Sequence, residues 1–379
     1  MSDPIDVLKG LTATVKGRDV LQLASKIIVA EDMSSTFPRC VVEIGKDSRY
    51  EMQEALSGED MEISIQPQNG PALQCKYKVH SAKPALNDDA KGLSGYINGV
   101  YEDYSKCIAN RVTTSFDKKN TDDAIKEVHE KHIGSSKKIE VSSGFKQASF
   151  TLPTLMPLKA IEKCGDLSGS GSKGFYFNTH RDGGTSNFKT IKDMASKGPK
   201  RQFVYNGAGS ADMNTLGDPS TIFDLQYQGS SISNQKQTKA QGQRFNPQFG
   251  KFANNDQASS GLSTPGLGVK EADAKVGRPI VNSPEQDKEK RLIDSDQQNL
   301  NEYSSKLTVL VPIATDIHVG DVIDIKSGSA TYFSDASPEN SASGKWLVVK
   351  LMHIVDPGGR ESNPGHTGRT LLHCVGKIS

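Results

Sequence analysis

Lys306-Leu307-Thr308-Val309-Leu310-Val311-Pro312 and, across a turn carrying Gly320, Asp321-Val322-Ile323-Asp324-Ile325 are the runs that decide the fold. Both are short and rich in β-branched residues, the composition of strands. Two more runs follow, Lys345 to Val355 and Thr370 to Ile378, joined by the loop Asp356-Pro357-Gly358-Gly359. Together they predict a small β-barrel at the C-terminal end of the chain.

The other end reads the same way. From residue 25 to 113 the signal is mainly strand, with segments such as Arg39 to Gly45, Met61 to Pro67 and Gln74 to His80 separated by turn residues. In Met61-Glu62-Ile63-Ser64-Ile65 apolar and polar side chains alternate, so one face meets a core and the other meets water. Gly95, Asn98 and Gly99 punctuate the stretch from Leu93 to Phe116. A sandwich or barrel is expected here too.

Between the ends the period changes. Thr121 to Ile133 has Asp122 and Asp123 in a first turn, Ile125, Val128, His132 and Ile133 on one side, and Gly134 at the stop, which predicts an amphipathic helix. Pro157 suits a first helical position and Gly165 a stop, so a second helix is expected over Pro157 to Cys164 with Leu158 and Ile161 inward. A strand at Gly174 to Asn178, a Gly183-Gly184 turn and a short helix near Thr190 to Ser196 follow. From about Asn206 to Gly277 the chain is rich in Gly, Ser, Asn and Gln, with one expected strand at Thr221 to Gly229. Such composition buries little apolar area to offset the entropy of ordering. A charged helix is expected near Glu285 to Tyr303.

At 379 residues the chain exceeds one ordinary core, and two or three domains are expected. We divide it into a first β-barrel domain over 1–113, a mixed α/β domain over 114–220, and a second β-barrel domain over 221–379 with a polar insertion at about 230–288. Lys plus Arg number 46 against 45 Asp plus Glu, so no global field favours nucleic acid or an anionic membrane, and any DNA contact has to be local. The apolar stretches Leu21 to Ala30 and Trp346 to Val355 are too short for a membrane span. Met1-Ser2-Asp3-Pro4 lacks the basic start and apolar run of an export signal, so the chain is expected to stay where it is made. Cys40, Cys75, Cys107, Cys164 and Cys374 are scattered singly and read as buried thiols.

Candidate chemistry is sparse. His129 and His132 lie three apart on the predicted helix, within reach of one ion, but no HExxH pattern or third ligand completes a site. His353, His366, His373 and Cys374 form a second cluster, yet His373 and Cys374 are adjacent in a strand and point to opposite faces. No GxSxG elbow marks a nucleophile. The glycines of Gly165-Asp166-Leu167-Ser168-Gly169-Ser170-Gly171 lack the GK[ST] ending of a phosphate loop and read as a turn. Trp346, in Lys345-Trp346-Leu347-Val348-Val349, reads as a packed strand residue rather than a ligand platform. No catalytic residue, cofactor or metal site is therefore expected. Paired carboxylates brought together only in space keep a cell-wall hydrolase as an alternative. A host-glycan adhesin is a third class, disfavoured because aromatics are 6% of the chain and lie mostly in predicted strands.

The order of these segments resembles the central hub proteins of contractile-tail baseplates in bacteriophages, relatives of the hub half of type VI secretion spike proteins. The Phe116-Asp117-Lys118-Lys119-Asn120 lead with its helix through Ile133 is one match. The Pro-led helix, glycine-rich turn, aromatic strand Phe175-Tyr176-Phe177 and glycine hairpin within Leu155 to Phe188 are the most distinctive. Val311-Pro312, Val319-Gly320-Asp321, Gly344-Lys345-Trp346, His353 and the closing strand Arg369 to Val375 complete the pattern. The polar region from about Ser230 to Lys288 departs from it.

The resemblance implies a β-rich α+β fold with two small antiparallel β-barrel domains of tail-tube type and an intervening α/β domain. It implies a non-enzymatic homotrimer in which paired barrels surround a channel for DNA and match a six-fold tube to a three-fold spike. Implied partners are the central spike below, tail-tube or tube-initiator proteins above, and also the tape measure and baseplate wedge proteins, with no membrane and no specific nucleic acid binding. The implied place is the tail baseplate of the virion, assembled in the host cytoplasm.

Overall fold

Alternation at the N-terminal end becomes strands β1 (Asp6–Val15), β2 (Arg18–Asp19), β3 (Ala24–Asp32), β4 (Arg39–Ile44), β5 (Asp60–Pro67), β6 (Leu73–Leu86) and β7 (Leu93–Val100) in the computed structural model. The described residues are 6–45, 58–86, 93–142, 145, 147–167, 174–205, 219–228, 238–246, 251–258, 274–277, 305–327, 342–358 and 365–378. In β5 the residues Met61, Ile63 and Ile65 are buried while Asp60, Glu62 and Gln66 are exposed, as their period requires.

The middle segment alternates helix and strand: α1 (Glu102–Ala109), β8 (Val112–Asn120), α2 (Thr121–Glu127), β9 (Ile139–Val141), β10 (Gln147–Leu155), α3 (Pro157–Leu167), β11 (Gly174–Thr179), β12 (Thr185–Thr190), α4 (Ile191–Ala195) and β13 (Arg201–Tyr205). Helix α2 runs on as a π-helical turn, Val128–Ile133, and stops at Gly134 with φ 64°, the left-handed residue expected there. α1 falls inside the stretch read as strand. Its helix signal was present, with Glu102 and Asp103 in the first turn and a Glu102–Lys106 ion pair at 3.0 Å. α3 passes through Gly165 instead of stopping there, because Gly165 serves packing: a Cβ on it would stand 3.1 Å from the Gly174 carbonyl and 3.3 Å from the Phe188 ring.

The remaining strands are β14 (Asp224–Gln228), β15 (Thr238–Asn246), β16 (Lys251–Ala258), β17 (Ala274–Gly277), β18 (Lys306–Pro312), β19 (Val322–Ser327), β20 (Gly344–Asp356) and β21 (Thr367–Ile378). β15, β16 and β17 make a small sheet of their own inside the polar region, where only one strand was expected; backbone N–H and C=O groups pair in a ladder whatever the composition. The expected helix near Glu285 to Tyr303 and the turn over Ser168 to Gly171 lie outside the described residues.

Pairing joins the two ends of the chain. β20 pairs β3, and the path runs on through β4, β7, β6, β5 and β1 to β21, which pairs β20 again and closes a ring. A second path leaves β21 through β18 to β14, whose lead-in residue Thr221 bridges Val204 of β13, and returns through β19 to β20. The long strands β20 and β21 thus belong to both rings. One hydrophobic core, with Ile27, Val29, Met61 and Ile63, continues into the middle segment at Ile125, Ile161 and Phe188. A second core gathers Trp346, Phe177, Phe203, Val309 and Leu372. The chain is β-rich, built on one large sheet. Among the described residues no helix is long and apolar enough to cross a membrane.

Candidate functional site

Strand β3 buries alternate residues, Ile27, Val29 and then Glu31, so a carboxylate takes an inward position where the pattern calls for an aliphatic side chain. An uncompensated buried charge costs several kcal/mol, and its partners identify the site. Glu31 Oε1 accepts the His180 backbone N–H at 2.7 Å, the His180 Nδ1–H at 3.0 Å and the His318 Nδ1–H at 3.0 Å. Glu31 Oε2 accepts the Val319 N–H at 3.0 Å.

Each partner comes from a different place in the chain. His180 ends β11 and enters a tight 3-10 turn, Arg181–Gly183, in which Asp182 and Gly183 have φ 52° and 81°. Because its Nδ1–H points to Glu31, its Nε2 is the acceptor for the Tyr77 hydroxyl at 2.6 Å. The rings of Tyr77 and Tyr101 meet His180 at 5.4 Å and 5.2 Å, and Tyr101 donates to the Thr179 carbonyl at 3.1 Å. His318 and Val319 belong to the connection between β18 and β19. Gly320 follows them with φ 89°, and a Cβ there would meet the Phe177 ring at 3.0 Å. Asp321 caps the connection: its Oδ2 accepts the His318 N–H at 3.0 Å, and its Oδ1 accepts from Arg181 at 2.5 Å. His353 on β20, beside the group, bonds Thr370 Oγ1 through Nδ1 at 2.9 Å, while its buried Nε2 has no partner among the described residues.

The charges follow from burial and contact. Burial pushes the Glu31 carboxyl up, but the charge of His318 and the bonds from His180 and His318 outweigh it and hold Glu31 well below the usual carboxylate range. Burial pulls His318 down, and the Glu31 charge overcomes this and raises it, making an ion pair. Burial holds His180 below its ordinary value despite Glu31. His353, which burial lowers to about 3, stays neutral. The arrangement therefore cross-links β3, the β11–β12 turn and the β18–β19 connection through one carboxylate. It presents neither a paired acid and base in a cleft nor a nucleophile, and its chemistry is that of a fastening.

The residues singled out in the sequence are placed as follows. His129 is buried with both nitrogens engaged, Nδ1 with Tyr176 at 3.0 Å and Nε2 with the Lys137 carbonyl at 3.1 Å. His373 bonds Thr308 at 3.2 Å, and His366 bonds the Pro357 carbonyl. Among the described residues no group of three or more His, Cys, Asp or Glu could hold a metal ion. Trp346 is fully buried, its indole donating to the Ala342 carbonyl at 2.7 Å. All five cysteines are free and buried, and burial pushes the thiols of Cys107 and Cys164 up to about 12. Val319 bonds Glu31 directly, Asp321 holds the His318 N–H, and His353, read from the sequence in a histidine cluster, lies beside them instead. Glu31 itself was missed, although its place in the alternation after Ile27 and Val29 was the signal.

No family model and no curated protein sequence matches the chain. Solved structures do. A tail protein from Neisseria meningitidis superposes with a TM-score of 0.62 at 11% identity, covering 97% of this chain and 96% of that one. A 43 kDa tail protein of prophage MuSo2 from Shewanella oneidensis gives a TM-score of 0.62 at 10% identity, covering 97% and 98%. The chain has the fold of phage tail proteins. A Francisella PdpA-VgrG complex also matches, with a TM-score of 0.50 at 8% identity, over 97% of this chain and 53% of that one. Within the tail-protein fold, the Glu31 centre sits where both strand rings and the middle segment meet.

Proposed function

We propose that this chain is a structural hub of a phage tail baseplate, a trimeric ring that joins a six-fold tail tube to a three-fold central spike and surrounds the channel for DNA. The observation that carries this reading is the pair of closed strand paths sharing β20 and β21. We read each path as a barrel, so three chains would present six barrel units around an axis and satisfy both symmetries. The division into 1–113, 114–220 and 221–379 belongs to the same proposal, with the middle segment bracing the two barrels through Glu31. Edge strands and polar surfaces then serve assembly, and no enzymatic step is required. The place of action on this reading is the virion tail, after assembly in the host cytoplasm, with spike and tube proteins as direct partners.

The test is the mass of the purified chain by light scattering, alone and with a co-expressed spike. A trimer, or a trimer formed only with the spike, is expected. A monomer under both conditions that degrades peptidoglycan would replace the hub with a hydrolase.

A further inference from the structure

The turn Arg181–Gly183 is pinned toward both strand rings, and its hold on the first ring runs through one imidazole. His180, 1% exposed, has its N–H and both ring nitrogens engaged. The backbone N–H and Nδ1–H go to Glu31 Oε1 of β3 at 2.7 Å and 3.0 Å, and Nε2 accepts the Tyr77 hydroxyl of β6 at 2.6 Å. On the side of the second ring the pin is Arg181, held by Asp321 of the β18–β19 connection at 2.5 Å. The other groups around the imidazole are already committed. Tyr101, just past β7, meets the ring at 5.2 Å and donates to the Thr179 carbonyl. His318 shares Glu31 Oε1, Asp321 is taken up by Arg181 and the His318 N–H, and His353 of β20 is close by and neutral. Lys137, ahead of β9, is paired with Asp103 at 2.9 Å, and burial keeps the thiols of Cys40 and Cys75 protonated. Asp182, in the turn itself, is exposed.

Only a neutral imidazole satisfies these neighbours, since it donates at Nδ1 and accepts at Nε2. A second proton, on Nε2, sets an N–H against the Tyr77 O–H. Tyr77 is 2% exposed and the Cys75 thiol beside it is a weak acceptor, so a hydroxyl that gives up Nε2 is left poorly bonded. Because His318 is already paired with Glu31, the new charge has no counter-charge of its own. The turn is also strained, with Asp182 at φ 52°. We propose that His180 is an acid-released latch: protonation at Nε2 breaks the Tyr77 bond and frees the Arg181–Gly183 turn from the first ring while both rings stay folded. The rings stay because Glu31 keeps His318 and the Val319 N–H when His180 leaves. Burial, which holds the closed His180 below its ordinary value, places the release below about pH 6.5. The open turn takes up a proton that the closed turn refuses, so opening grows as pH falls. The latch lies within one chain and works whether or not the chain assembles as a ring.

The experiment is hydrogen exchange by mass spectrometry on the full chain between about pH 7.5 and about pH 5, with rates corrected for the intrinsic effect of pH. The His180 and Gly184 amides, bonded to Glu31 and to the Arg181 carbonyl, report on the turn, and Ile63 and Val309 report on the two rings. Protection at the turn is expected to fall about tenfold per pH unit below about pH 6.5 while the ring amides keep theirs. Tyr77→Phe removes the hydroxyl and keeps the ring. In that variant the turn should open about tenfold more at neutral pH, the weight of one buried hydrogen bond, and should match the wild type in acid, where that bond is already broken. His353→Gln should leave the pH response of the turn as it is. A turn equally protected at both ends of the range, a fall shared by Ile63 and Val309, a Tyr77→Phe difference as large in acid as at neutral pH, or a response lost in His353→Gln would each overturn the proposal. The wild-type comparison of turn and rings decides by itself where Tyr77→Phe does not fold.

Discussion

At the scale of the residue, Glu31 is where β3 departs from an apolar buried face, and four donors from distant segments make that tolerable. Removing one partner of a buried pair is more damaging than never having had it, because the other charge is left behind. Glu31→Gln keeps the shape and leaves His318 without its counter-charge, so stability at neutral pH should fall by about 3 kcal/mol in urea titration. A loss under about 0.5 kcal/mol would mean that the bonds to Glu31 carry little. The pH dependence has a definite sign. Glu31 is held low, so its contribution is present above the ordinary carboxylate value and is lost as pH falls through the folded one. His318 is raised, so its contribution is present below its unfolded value and is lost as pH rises through the folded one. His180 and His353 are lowered: below about pH 6.5 the unfolded chain takes up protons that the folded chain refuses, and stability drops. His353, lowered to about 3, should supply one proton's worth of that slope. His353→Gln should therefore flatten the stability profile by about 1.4 kcal/mol per pH unit between about pH 4 and 6. An unchanged slope would show that His353 is not kept neutral in the fold.

At the scale of the element, strands were the most legible feature because each one carries its own period. Met61, Ile63 and Ile65 announce β5 without help from any neighbour, and all three are buried. Helix limits were less legible where a distant residue decides them. Gly165 has the look of a stop, and only the closeness of Phe188 and Gly174 reveals that it is a packing glycine inside α3. A packing glycine and an exposed glycine within a helix predict opposite signs for an added methyl. In an exposed helix Gly→Ala gains about 1 kcal/mol. At Gly165 the added methyl must displace the Phe188 ring or the Gly174 carbonyl, and overpacking of that kind costs about 1–3 kcal/mol. Gly165→Ala should thus destabilise, read as an earlier denaturation midpoint with an unchanged slope; a later midpoint would mean that the methyl is accommodated and that Gly165 is an ordinary helix-interior glycine.

At the scale of the molecule, the ends of the chain were legible as strand clusters, but their union was not. Nothing in Lys345 to Val355 or Thr370 to Ile378 tells that β20 pairs β21 along one edge and, along the other, β19 with its first residues and β3 with its later ones. Register between segments more than three hundred residues apart is fixed by which faces are buried, and that is settled only when both partners are present. The Glu31 centre was illegible for the same reason: His180 and His318 lie 149 and 287 positions away. Such sharing has a thermodynamic consequence. If β20 and β21 are common to both rings and Glu31 ties the β18–β19 connection to β3, neither ring can open while the other stays intact. Unfolding should then be a single transition despite the length of the chain, where separate domains would ordinarily melt apart. Trp346, the single tryptophan, reports on the second core by fluorescence, and amide exchange at Ile27 and Ile63 reports on the first. The two probes should share one urea midpoint, and Glu31→Gln should move both together. Two separated midpoints, with Trp346 reporting only one of them, would mean that the rings are independent domains that happen to touch.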